Sequence, residues 1–169
     1  MIPGMAEPST TRRPLTVLLV DDNPAVVDVL SQQIALLEPT WTVRTATDAI
    51  GALDLLETVP IDVVVSDMRM EEVSGLALLR ECKERFPTIA RVVLSGQINV
   101  AHYLRPAQEV TKHYLCKPVR MRQLRDTILI AAEESQVAQV AQPPAPPPAT
   151  LDAPPATVHA PPSSASQSQ

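Results

Sequence analysis

Aromatic residues, cysteines and long apolar runs are scarce in this sequence. It contains one Trp, two Tyr and one Phe, so it lacks the aromatic platforms on which single-stranded nucleic acids stack. Cys82 and Cys116 show no CxxC or metal-ligand spacing, which favours reduced thiols. No run approaches the roughly 20 apolar residues of a membrane span, and the apolar stretch after Arg12-Arg13 is too short for a secretory signal. We therefore expect a cytoplasmic protein without a membrane segment.

The charge balance also argues against a nucleic-acid partner. The formal net charge is -5 and the pI is near 5.1, whereas nucleic-acid binding draws most of its affinity from clustered Lys and Arg that neutralise phosphates. Arg120, Arg122 and Arg125 form the one basic group. We interpret it as the solvated polar face of a helix.

Composition divides the chain into three parts. Residues 15–134 are patterned like one globular domain, and about 120 residues can bury a real core. Residues 1–14 are predicted to be a flexible leader. Residues 135–169 are rich in Pro, Ala, Ser and Gln and hold nine of the eighteen prolines, so we predict a disordered tail that buries too little apolar surface to offset its ordering entropy. Its stretch from Pro143 to Pro148 favours polyproline II, as a linker or as a docking motif.

Within the patterned part, short β-branched runs alternate with longer amphipathic stretches, which is typical of βαβ units and a parallel sheet. Strands are predicted at 15–20, 41–45, 61–67, 91–94 and 113–116. Helices are predicted between and after them: one capped by Asn23, one capped by Asp48, one opening at Gly75, a fourth within 98–110 and a last from 121 to about 134. Pro106 should shorten or kink the fourth helix.

Functional groups stand at the ends of four of these strands. Asp21-Asp22 close the first, Asp67 closes the third, Ser95 follows the fourth and Lys117-Pro118 follow the fifth. An open parallel sheet builds its site at the carboxyl ends of its strands. Each residue alone has an ordinary structural reading: acids that favour a helix amino end, a loop acid, a turn serine, a lysine before proline. One shared site accounts for all of them.

The order and spacing of these residues resemble the receiver domain of two-component response regulators over roughly Leu15 to Glu134. The resemblance rests on the acid pair, Asp67 in Asp67-Met68-Arg69-Met70, Ser95 in Leu94-Ser95-Gly96, Tyr114, and Lys117-Pro118. It implies an α/β fold, flavodoxin-like and doubly wound, in which a five-stranded parallel sheet of order 2-1-3-4-5 carries helices on both faces.

The resemblance also implies roles for these residues. Asp67 would be the phosphoacceptor, and Lys117 and Ser95 would bind the phosphoryl oxygens. Ser95 and Tyr114 would form the switch, with Tyr114 rotating once Ser95 is drawn inward. The Lys117-Pro118 bond is one that proline allows to be cis.

A magnesium site is expected at the same strand ends, with Mn²⁺ as a second option. Carboxylates about 4 Å apart repel by roughly 4 kcal/mol at an effective dielectric near 20, so three together call for a cation. Magnesium prefers oxygen ligands and keeps several waters. Asp22 and Asp67 would bind it directly and Asp21 largely through water, and the resemblance implies the backbone carbonyl of Arg69 as a further ligand.

The function expected is a phosphorylation-dependent signalling switch rather than an enzyme, since it would catalyse only its own phosphorylation and dephosphorylation. Its donor would be a histidine kinase or phosphotransfer protein, and its output partner an unidentified protein. The block of fourth helix, fifth strand and fifth helix could also form a homodimer.

Two other classes of function stay open. One is an adaptor with the same fold that signals without phosphate. The other is a metal-dependent phosphohydrolase with an aspartyl nucleophile, although Asp21-Asp22-Asn23 does not match the DxD motif of such enzymes. The loop after Asp67 departs from the receiver pattern, because Glu71-Glu72 replace the usual Pro-Gly, and this leaves loop shape and phosphate lifetime open.

Overall fold

A computed structural model describes residues 13–70, 74–96 and 107–141, with side chains up to residue 140. The chain forms a five-stranded parallel sheet of order β2-β1-β3-β4-β5, as predicted. Its strands are β1 (Thr16–Val20), β2 (Thr42–Ala46), β3 (Val63–Asp67), β4 (Ala90–Ser95) and β5 (His113–Cys116). Its helices are α1 (Pro24–Leu37), α2 (Ala49–Thr58), α3 (Gly75–Arg85), α4 (residues 107–110) and α5 (Met121–Ala141).

Helix starts follow local capping chemistry. Asn23 accepts a hydrogen bond from the backbone N of Ala25, with Pro24 in the first helical position of α1. Asp48 accepts one from the backbone N of Gly51 at 2.7 Å. Short polar side chains of this kind satisfy backbone donors that have no partner inside the helix. The prediction of both caps is confirmed.

The helices cover both faces of the sheet, and each face has its own core. Alternate residues of β1 point to opposite faces. Val17 and Leu19 pack with α1 and α5, whereas Leu18 and Val20 pack with α2 and α3. All five residues of β3 are buried, as expected for a central parallel strand covered on both sides. Cys82 of α3 is fully buried in the core on the α2 and α3 side of the sheet.

The buried face of α1 is narrower than its apolar pattern suggests. Val27, Leu30 and Ile34 are buried, but Val29 and Leu37 are exposed. Residues at spacings of three and four share one face of a helix, and the sheet contacts only the stripe that contains Ile34. The apolar pattern of α1 therefore does not by itself determine which of its residues are buried.

The last helix is longer than predicted. It continues to Ala141 rather than ending near Glu134, so the first residues assigned to the disordered tail are helical. Ser135 Oγ and Gln139 Nε2, one turn apart, both donate hydrogen bonds to the carbonyl of Thr88, at 2.7 and 2.9 Å. This stretch contains no proline, and the first prolines come at Pro143 and Pro144. The composition of residues 135–169 as a whole predicted disorder, although the first residues of this segment can form a helix.

Three predictions fall wholly or partly outside the described residues: most of the leader, the rest of the tail and most of the fourth helix, including Pro106. The described part of that helix, residues 107–110, is helical. Among the described residues no helix has both the length and the hydrophobicity required to cross a bilayer.

Candidate functional site

The register of the parallel strands gathers the predicted residues at one edge of the sheet. Val20 pairs with Ser66, so the residues that follow, Asp21 and Asp67, leave adjacent strands side by side. On the other side of β3, Asp67 pairs with Leu94, and Ser95 pairs with Cys116. The turns after β1, β3, β4 and β5 therefore begin at the same edge. The convergence of strand ends that the sequence predicted is confirmed.

Asp21 has both a local and a long-range role. Its side chain is buried, and Oδ1 accepts a hydrogen bond from the backbone N of Asn23 at 3.0 Å. That contact shapes the turn into α1, as the purely structural reading of the acid pair expected. Oδ2 lies 2.6 Å from Lys117 Nζ, across 96 positions of sequence. The second contact is one that a local turn does not require.

Lys117 is the cation at the centre of the site. Its Nζ lies 2.6 Å from Asp21 Oδ2 and 2.7 Å from Asp67 Oδ1. Burial by itself would lower the pKa of this amine, but the hydrogen bonds to Asp21 and Asp67 outweigh it, and the pKa is raised above its ordinary value. Lys117 therefore stays charged at neutral pH and joins two carboxylates that would otherwise repel each other.

Asp67 is held at both carboxylate oxygens. Asp67 as a whole residue is 8% exposed to solvent. Oδ1 contacts Lys117, and Oδ2 accepts a hydrogen bond from the backbone N of Arg69 at 2.9 Å. A carboxylate fixed by two donors loses little further freedom when it reacts, and a nearly buried one reacts away from bulk water. The arrangement suits an oxygen nucleophile beside a fixed positive charge.

The other predicted residues lie around this centre. Lys117 donates its backbone N–H to the carbonyl of Ser95 at 2.7 Å, which links the ends of β4 and β5, and the Ser95 side chain is half-buried. The Lys117-Pro118 bond is cis. Asp22 is exposed beside Asp21. Tyr114 is 44% exposed on β5, so its ring faces outward in this structure.

The oxygen donors at this edge are of a kind that magnesium binds, but they do not form a closed cage. Within the part of the chain that the structure describes, no group of three or more His, Cys, Asp or Glu side chains is arranged to hold a metal ion. Magnesium does not need such a group, because it keeps several waters and is usually held by one or two carboxylates together with phosphate oxygens. Asp21 and Asp67, which share Lys117 at the strand ends, and the exposed Asp22 beside them fit that chemistry.

Two residues that contact Asp67 were not predicted from the sequence to be part of the site. Ser66 is fully buried, and its hydroxyl donates a hydrogen bond to the carbonyl of Asp67 at 2.9 Å. Gly75, assigned only as the start of a helix, lies against the same carbonyl. A hydroxyl inside an otherwise apolar strand was a signal for Ser66. Nothing local signalled Gly75, because the residues it meets, Asp67 and Ser66, precede it by eight and nine positions across the loop after β3.

Comparisons with known proteins agree with the resemblance to receiver domains. Residues 17–129 match the family model of the response regulator receiver domain. The chain is 34% identical over 119 residues to the hydrogenase transcriptional regulatory protein HoxA of Cupriavidus necator, covering 70% of this chain and 24% of that protein. It is 34% identical over 115 residues to the sensor kinase CckA of Brucella abortus, covering 67% of this chain and 12% of that protein.

Among solved structures, a response regulator receiver domain protein from Clostridium thermocellum superposes with a TM-score of 0.66 at 27% identity, covering 73% of this chain and 98% of that one. The match thus spans nearly all of a separate domain, but only a quarter or less of HoxA and CckA. The similarity therefore carries no information about the remaining parts of HoxA and CckA.

Proposed function

We propose that this chain, which belongs to the response regulator receiver domain family, is a phosphorylation-dependent signalling switch that accepts its phosphoryl group on Asp67. Receiver domains take phosphoryl groups from histidine kinases and are signalling switches rather than metabolic enzymes. The observation that carries the assignment to Asp67 is the contact of Lys117 Nζ with both Asp67 Oδ1 and Asp21 Oδ2. Asp21 is buried beside the same cation, and Asp67 differs from it in ending the central strand β3, the position that the receiver resemblance implies for the phosphoacceptor.

The reaction follows from that geometry. A carboxylate oxygen of Asp67 attacks the phosphorus of a phosphohistidine on the donor, forming an acyl phosphate. The P–N bond breaks, its electron pair stays on the imidazole nitrogen, and that nitrogen takes up a proton. Such transfers depend mainly on positioning and on neutralising charge. The ammonium of Lys117 supplies the positive charge, and the N–H of Arg69 keeps the carboxylate in place.

Magnesium is the metal we propose for the site, with Mn²⁺ as the alternative. Asp21, Asp22, Asp67 and the backbone carbonyl of Arg69 would hold it, and when bound it offsets the negative charge of the incoming phosphoryl group. Lys117 provides one positive charge against the two carboxylates it touches. A second cation is therefore needed before a phosphoryl dianion can approach.

The switch would start at Ser95. Phosphorylation adds charge and acceptor oxygens, and the Ser95 hydroxyl can donate to one of them. Because Ser95 pairs with Cys116 and accepts a hydrogen bond from the backbone of Lys117, movement of its loop is transmitted to β5, which carries Tyr114. Turning the exposed Tyr114 ring inward would change the surface beside β4 and β5.

The proposed phosphorylation of Asp67 implies a donor and an output partner. The phosphoryl donor is a histidine kinase or a phosphotransfer protein, and the output is binding of another protein or formation of a homodimer through α4, β5 and α5. We also propose a cytoplasmic location, which the free thiols of Cys82 and Cys116 support.

The test is phosphorylation by a small donor. The protein is incubated with acetyl phosphate and magnesium, and acid-labile phosphate is mapped by mass spectrometry after reductive trapping. We expect one label on Asp67, lost in Asp67→Asn and retained in the matched control Asp54→Asn, whose carboxylate is exposed on α2. An unlabelled wild-type protein, or a label that survives in Asp67→Asn, would reject the assignment.

A further inference from the structure

The first residue of α3 lies against the main chain of Asp67. A Cβ atom built on Gly75 would stand 1.7 Å from the Asp67 carbonyl oxygen and 2.8 Å from its carbonyl carbon, although carbon atoms pack at about 3.5–4.0 Å. The backbone N of Gly75 also donates to the carbonyl of Met68 at 3.1 Å. Only glycine allows this approach, and the obstacle is backbone rather than a flexible side chain.

Ser66 holds the same carbonyl from the strand side. Its hydroxyl donates to Asp67 O at 2.9 Å and is fully buried, and it lies 2.7 Å from the Cβ position of Gly75. The Asp67 carbonyl is thus confined between the Ser66 hydroxyl and the start of α3. A buried hydroxyl left without an acceptor would be costly, so this contact resists rearrangement.

The orientation of that carbonyl matters for the carboxylate. The peptide joining Asp67 to Met68 is planar, so fixing its oxygen also fixes the direction in which the chain leaves toward Arg69. The Arg69 N–H donates to Asp67 Oδ2 at 2.9 Å. A rotation of the 67–68 peptide would move that donor away from the carboxylate and change the angle at which Asp67 meets Lys117.

We infer that Ser66 and Gly75 are positioning residues, which clamp the Asp67 carbonyl and thereby keep the Asp67 carboxylate aligned with Arg69 N–H and Lys117 for phosphoryl transfer. The predicted effect on the rate of phosphoryl transfer rests on the proposed role of Asp67. The geometric part of the inference, the effect of the clamp on the Arg69 hydrogen bond, does not depend on phosphorylation.

Gly75→Ala is the direct test, and Gly51→Ala is its matched control. Gly51 is also a glycine in the first turn of a helix, but a Cβ there would meet nothing closer than Asp48 Oδ1 at 3.4 Å. Two quantities are measured on each folded protein: the rate of Asp67 labelling by acetyl phosphate with magnesium, and the NMR chemical shift of the Arg69 amide proton. The amide reports the hydrogen bond itself, which a general loss of stability would not alter in molecules that remain folded.

We expect Gly75→Ala to slow labelling by at least about tenfold, since a displacement of about 1 Å at a reacting group can cost about a hundredfold. The Arg69 amide proton should move upfield as its hydrogen bond lengthens. Gly51→Ala should match the wild type in both measurements. Ser66→Ala adds no atoms, so it should fold even if Gly75→Ala does not, and it should shift the Arg69 amide in the same direction with a smaller loss of rate.

The outcomes separate the clamp from the proposed function. If the wild type takes no label, the proposed function fails, while the Arg69 amide in the variants still decides whether the clamp exists. If the wild type is labelled and either Ser66→Ala or a folded Gly75→Ala leaves the Arg69 amide unchanged, the clamp is overturned. A slower rate with an unchanged amide also overturns it, because the loss would then not arise through the carboxylate.

Discussion

Replacing Lys117 with Met tests whether the site is held together by charge. The substitution keeps much of the side-chain volume but removes the ammonium, whose Nζ lies 2.6 Å from Asp21 Oδ2 and 2.7 Å from Asp67 Oδ1. Those two oxygens therefore lie at most about 5.3 Å apart, the sum of the two distances. At an effective dielectric near 20, two charges at that separation repel by about 3 kcal/mol.

We expect Lys117→Met to lower the free energy of unfolding by about 3 kcal/mol at pH 7, in line with the cost of removing one partner from a buried ion pair. Asp21→Asn combined with Lys117→Met should recover most of the loss, because only one carboxylate then remains in the contact. Magnesium chloride should stabilise Lys117→Met more than it stabilises the wild type, since a bound cation replaces the missing charge.

The effect also has a defined pH window. The pKa of Lys117 is raised in the folded protein, so the folded state binds this proton more tightly than the unfolded state does. The contribution is complete below the ordinary lysine value of about 10.4 and is lost as pH rises through the higher folded value. The difference between wild type and Lys117→Met should therefore be constant around neutral pH and shrink above about pH 10.4.

The assay is urea unfolding followed by fluorescence of Trp41, the single tryptophan, which is 8% exposed and packs in the core shared by α1 and α5. Lys112→Met is the matched control, because Lys112 is an exposed lysine just before β5, and it should change stability little. The reasoning is refuted if Lys117→Met is as stable as the wild type, or if sodium chloride at equal ionic strength rescues it as well as magnesium chloride does.

Further predictions concern the thiols and a helix cap. In the folded protein a maleimide should modify the exposed Cys116 but not the fully buried Cys82. Mass spectrometry should therefore show one adduct in buffer and two adducts in urea. Rapid labelling of both cysteines in the folded protein would contradict the burial of Cys82. Burial raises the pKa of Cys82 from 9.0 to about 11, and Arg91 partly opposes this shift. The contribution of the protonated thiol to stability should therefore be complete below pH 9 and be lost as the pH rises toward about 11. A Cys82→Ala variant with the same alkaline decline would refute this. Asp48→Ala removes the acceptor 2.7 Å from Gly51 N and should cost about 1 kcal/mol in urea unfolding; an unchanged midpoint would show that the cap is dispensable.

Much of the fold was predictable because local signals agreed with one another. Asn23, Asp48 and the β-branched strands each specify a local conformation, and alternation of the two element types specifies a parallel sheet. The length of α5 was not predictable in the same way. Its last turns are stabilised by Ser135 and Gln139, which donate to Thr88, and this acceptor lies far away in the sequence.

The exposed side of α1 illustrates the same limit. Val29 and Leu37 fit an apolar helical pattern as well as Leu30 does, but they are exposed and Leu30 is buried. Periodicity tells which residues share a face, whereas the orientation of the helix on the sheet decides which face is covered. That orientation is set by tertiary packing, so the sequence pattern leaves it open.

The amino-acid sequence by itself determined the order of strands and helices and which chemical groups end the strands: two acids, a single acid, a hydroxyl and an amine. Only the tertiary structure decided the contacts among them. Lys117 meets Asp21 and Asp67, and Gly75 closes on the Asp67 carbonyl. Local sequence controls backbone conformation over a few residues, but a distance between groups on separate strands depends on the register and packing of the whole sheet.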